Sequence, residues 1–77
     1  MKNLTNWDID YIVEALIEID DIDEFTDDLK LETDCTGKLA RFIFTNYSNL
    51  MDFERYQMER DEMVAWIKEQ ITNFKNQ

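Results

Sequence analysis

Carboxylates are the groups in this chain best placed to do chemistry. The stretch EIDDIDEFTDD, residues 18–28, holds seven of them in eleven positions with no base among them. Asp10, Glu14, Glu18 and Asp21 follow one another at intervals of four, four and three, so a helix sets them in one row about 6 Å apart. Like charges at that spacing repel, and a Lys at alternate positions would turn repulsion into attraction. No Lys or Arg occurs between Lys2 and Lys30. Such a row could hold a divalent cation, share a proton as a catalytic pair, or meet cationic groups of another molecule. A solvated, solubilising face is the plain alternative, and it explains the acids but not the missing bases.

The calcium reading fails on spacing. In DIDEFTDDLKLE, Asp21, Asp23 and Glu32 occupy positions 1, 3 and 12 of an EF-hand loop after a predicted helix. Positions 5 and 6, which need an oxygen ligand and a turn-forming glycine, are Phe25 and Thr26. Catalysis fares no better. With no histidine anywhere, His-based triads and imidazole ligands are excluded, and a single glycine, Gly37, cannot build a phosphate loop. Cys35 stands beside Asp34 with Lys38 as its nearest base, and a lone thiol without a partner base is read as a part-buried side chain in a reducing compartment. A chain of 77 residues can scarcely enclose a shaped cavity. The expectation is a non-enzymatic protein with no cofactor and no metal.

Charge sets the class of partner. Residues 1–34 carry twelve acids against Lys2 and Lys30, a net of -10, while residues 35–77 carry six acids against six bases. The whole imbalance therefore lies in the first half. That field repels nucleic acid and anionic membranes and draws cationic partners over about 8 Å at physiological salt. No apolar run approaches the roughly 20 residues that span a bilayer, and no apolar segment follows Lys2 as in a signal peptide, so a soluble, cytoplasmic protein is predicted.

The elements that must position these groups are helices. With 44% hydrophobic residues, no proline and no repeat, residues 1–77 read as a single acidic helical domain: all-α, three to four helices, the C-terminal one long. Thr5 with Asp8 three residues on, and Leu4 set to staple onto Ile9, predict a helix over about 6–20, its apolar face carrying Ile9, Ile12, Val13, Leu16 and Ile19. Asp21 with Glu24 predicts a second helix ending near residues 30–32. TDCTG, residues 33–37, reads as a turn. In KLARFIFTNY the spacing of Leu39, Phe42, Ile43 and Tyr47 suits a helix, but Phe42 to Thr45 are strand formers, so an α+β alternative with a short hairpin at about 29–45 stays open. From Leu50 to Phe74 a heptad-like pattern is interrupted at Gln57 and Arg60. An unbroken helix over 49–75 would be about 40 Å long against a chain about 30 Å across. Either it breaks near Arg60 and Asp61, or it projects and forms a homodimer through the C-terminal helix. Arg55 and Glu59 are spaced to pair there.

Phe42, Phe44, Phe53, Trp66 and Phe74 are read as core. Trp7 and Tyr11, one turn apart beside the acidic row, instead suit a partly wet interface that receives Arg or Lys by stacking and cation-π contact. The predicted partner-binding set is Trp7, Tyr11, Asp10, Glu14, Glu18, Asp20, Asp21, Asp23, Glu24, Asp27 and Asp28. The leading function is an inhibitor that masks the basic, nucleic-acid-binding surface of another protein by mimicking nucleic acid. One row at 6 Å is sparser than B-DNA's one charge per roughly 1.7 Å, so the acids from Asp20 to Asp28 must supply a second. Small acidic inhibitors that phages and mobile elements use against host nucleases or defence complexes work in this way, and the likeness is one of size and charge. The rival is a helical interaction or oligomerisation subunit whose acids serve solubility.

Overall fold

Thr5 opens the first helix by a reciprocal cap: its hydroxyl accepts from the Asp8 amide at 3.2 Å, and the Asp8 carboxylate accepts from the Thr5 amide at 3.0 Å. The computed structural model describes residues 3–77, so Lys2, counted in the charge above, lies outside it. Helix α1 runs Asn6–Glu18 and buries Ile9, Ile12, Val13, Ala15 and Leu16. Asp21 caps α2, Ile22–Glu32, by accepting from the Glu24 amide at 2.9 Å. Two threonines then make the turn. Thr33 donates back to the Leu29 carbonyl at 2.7 Å and accepts from the Cys35 amide at 3.0 Å, and Thr36 caps α3, Gly37–Ser48, through the Leu39 amide.

The hairpin at 29–45 does not form, and no strand occurs among the described residues. The strand formers of KLARFIFTNY sit in a helix because α3 needs apolar groups on more than one side. Leu39, Ala40 and Ile43 are buried, Phe44 meets Phe25 of α2 at 5.2 Å between ring centroids, and Phe42 meets Phe74 at 5.3 Å. Packing on two flanks outweighs the β preference of the individual residues.

The segment 49–75 is broken, in agreement with one of the two outcomes expected. Helix α4 spans Asp52–Gln57, Met58 and Glu59 are extended, and α5 runs Arg60–Lys75. At 16 residues α5 is about 24 Å long, which fits a molecule of 32 × 24 × 23 Å. The extra break makes five helices among the described residues where three to four were expected. Arg55 pairs with Asp52 within α4, not with Glu59.

The core is shared by four helices: Ile12, Val13, Phe25, Leu29, Leu39, Ile43 and Ile67 have no exposure at all. α1 packs on α2 and α5, and α3 packs on α2 and α5. A part-buried amide contact, Asn46 donating to Gln70 at 2.8 Å, joins α3 to α5. Lys75 donates to the Asn3 side chain at 3.1 Å, setting the end of α5 against the start of the described chain. α4 contributes no buried residue, and Phe53, expected in the core, is 63% exposed.

Candidate functional site

The acids do not form one face. They divide into three sets according to which neighbour each helix side meets. The first set gathers around Tyr11, whose hydroxyl donates to Asp28 at 2.8 Å and so ties α1 to α2. That hydrogen bond, then burial, then the charges of Asp28, Glu32 and Glu18 push the phenol up to about 12. Asp28 of α2 touches the phenol, while Glu32 of α2 and Glu18 of α1 act on it through their charge alone. Glu24 precedes Asp28 by one turn on the same side of α2, giving the row Glu24, Asp28, Glu32 at about 6 Å per step. Trp7 stacks on Tyr11 at 5.5 Å and is 60% exposed, so its outer face is open to a ligand.

The second set leans toward α5. Glu14 pairs with the Arg60 guanidinium, and that contact, with Asp10 and Asp61 nearby, holds Arg60 above its ordinary value. The third lies toward α3, where Asp23 pairs with Arg41 at 2.8 Å and Asp27 follows one turn on. In the α1–α2 connection, Asp21 spends an oxygen on its cap and Asp20 reaches a cleft beside α4.

Of the predicted partner-binding residues, the structure thus brings together Trp7, Tyr11 and Asp28, with Glu24 in line on α2 and Glu18 two turns from Tyr11 on α1. Asp10, Glu14 and Asp23 stand beside arginines. The row Asp10, Glu14, Glu18 lacked a base in the local sequence, but Arg60 comes from 46 residues away to meet its middle. Sequence reasoning missed Glu32, which had been weighed as a calcium ligand; the spacing Glu24, Asp28, Glu32 was the signal for it. The segment 21–32 is a cap followed by a helix, which sets Asp21 and Glu32 about 16 Å apart. Phe25 and Thr26, at loop positions 5 and 6, are buried. Among the described residues no group of three or more Cys, Asp or Glu could hold a metal ion.

Cys35 is buried, and burial, followed by the charge of Asp8, pushes its thiol up to about 12. A thiol held protonated is a poor nucleophile. Among the described residues no helix is long and apolar enough to cross a membrane.

A second surface lies around α4. Met51, Phe53 and Tyr56 are 68%, 63% and 82% exposed. Between α4 and α5 a cleft of about 480 Å³ is lined by Leu50, Phe53, Met58 and Trp66, with Glu54 and Glu62 among its polar residues. On the other flank of α4 a cleft of about 350 Å³ includes Ile17, Asp20, Tyr47 and Tyr56. Arg55 lies between Tyr47 and Tyr56, 5.9 and 5.7 Å from the two ring centroids.

Comparison of the chain with protein-family models, curated proteins and solved structures finds no match to any of them.

Proposed function

We propose that this is a non-enzymatic, acidic binding protein that masks a basic nucleic-acid-binding surface of another protein. The observation that carries the reading is the row Glu24, Asp28 and Glu32 on α2, tied through Asp28 to Tyr11 of α1 at 2.8 Å beside an exposed Trp7, with the charge of Glu18 of α1 added. Two helices supply that charge, as mimicry requires of a chain whose single row is too sparse. Steps of about 6 Å match roughly every second phosphate of one strand of B-DNA, which rises 3.4 Å per nucleotide. The face is matched to a compact cluster of Lys and Arg, not to a long duplex groove. Trp7 gives an arginine of that cluster a flat apolar seat.

The test begins with capture of partners from lysate at low salt and their release at high salt, because charges meeting across a surface are screened. Each captured protein is then loaded with the nucleic acid it binds and challenged. The unmodified chain should displace the nucleic acid. The variant Glu18→Gln, Glu24→Gln, Glu32→Gln should stay helical and lose most of that ability. Simultaneous binding of chain and nucleic acid would end the masking reading, and unchanged affinity of the neutralised variant would assign binding to apolar surfaces, with the acids serving solubility.

A further inference from the structure

The α4 segment raises a separate question. A six-residue helix that adds nothing to the core exposes Met51, Phe53 and Tyr56 to water. Of these Phe53, together with Leu50, Met58 and Trp66, lines the cleft between α4 and α5, and an apolar lining open to water on a chain this small marks a contact surface. We infer that the cleft between α4 and α5 is the docking site for a cationic amphipathic helix of a partner protein. The helix seats an apolar side chain between Phe53 and Trp66 and sets Lys or Arg against Glu54 and Glu62.

Three features select that occupant. The cleft, at about 480 Å³, has room for a large apolar anchor, and its apolar wall of Leu50, Phe53, Met58 and Trp66 is what a helix laid in a groove uses. Its charged lining residues are Glu54 and Glu62, with no base among the lining residues, so the complementary partner is positive. A second copy of this chain is the wrong sign: it carries a formal charge of -10 and would bring its own Glu54 and Glu62 to the same place. The inference stands apart from the preceding reading, since the sign of the partner's charge comes from Glu54 and Glu62 and the site uses different helices.

The two tryptophans separate the surfaces. Trp7→Phe leaves Trp66 in the cleft as the sole tryptophan, and Trp66→Phe leaves Trp7 on the acidic face. The probes are a synthetic Leu–Lys peptide of about 18 residues with leucines at helical spacing, and polylysine of equal charge. In the Trp7→Phe protein the Leu–Lys peptide should shift Trp66 emission to the blue in a saturable way, while polylysine should not. Adding Phe53→Asp, at an exposed position, should raise the dissociation constant about tenfold or more, as loss of an aromatic anchor does. Adding Glu18→Gln, Glu24→Gln, Glu32→Gln should leave the Trp66 response in place, whatever becomes of the Trp7 response to polylysine. The inference is overturned if no saturable shift occurs, if polylysine reproduces it, if Phe53→Asp binds as before, or if sedimentation shows the chain pairing with itself through Phe53.

Discussion

Tyr11 and Cys35 both keep their protons in the fold, for different reasons. Tyr11 does so because its proton is the one shared with Asp28, and Cys35 because a thiolate would be desolvated beside Asp8. Each folded value lies above its ordinary one, near 10 for the phenol and near 9 for the thiol, so the folded state holds protons that the unfolded chain releases. Their contribution to stability is therefore fully present below pH 9 and is lost as pH rises toward 12. Urea midpoints should hold steady from neutral pH up to pH 9 and fall above it. Cys35→Ala should remove the part of the fall that begins near pH 9, and Tyr11→Phe some of the part that begins near pH 10, to which Tyr47, its phenol also pushed up by burial, contributes as well. A variant whose midpoint declines with pH as steeply as that of the unmodified chain would show that its group does not hold the proton. The acids themselves were legible as residues, from their density between Glu18 and Asp28. Their division into three sets was not, because Arg60 and Arg41 reach Glu14 and Asp23 across 46 and 18 positions of sequence.

Helices α1 and α2 were readable because their ends are written locally. Thr5 with Asp8, and Asp21 with Glu24, each satisfy backbone amides that would otherwise lack partners. Thr5→Ala and Asp21→Ala should each cost about 1 kcal/mol in denaturant unfolding, with little change in the slope of the transition. No loss in either variant would mean that core packing alone fixes where these helices begin. α3 was only half readable, since Phe42, Phe44 and Thr45 favour a strand and only the flanking α2 and α5 make a helix the better burial. The break before α5 was weakly signalled for a related reason. It contains neither glycine nor proline, and Glu59 and Glu62 close it with a long contact of 3.5 Å. Phe53 was assigned to the core from its spacing with Leu50, but a short helix that leaves the pattern at Met58 turns that residue outward.

At the scale of the whole molecule, the two halves of the sequence differ in charge but fold as one body. Arg41 and Arg60, from the neutral half, are set against Asp23 and Glu14 of the other half. The break after Gln57 also removes the length argument for a homodimer, because a helix of 16 residues fits within the molecule. A last consequence follows from the Lys75–Asn3 contact. Since the first and last helices pack together and their outer ends meet, the order in which the chain visits the helices is not fixed by the packing. A short Gly–Ser linker joining Gln77 to Met1, with new termini opened between Asn49 and Met51, should give a circular permutant with the same core. Those positions lie outside the helices and beside α4, which holds no core residue. Helical circular dichroism and cooperative unfolding close to those of the parent are the expected result, and a molten, non-cooperative product would show that connectivity through 49–51 is needed to assemble the four packed helices.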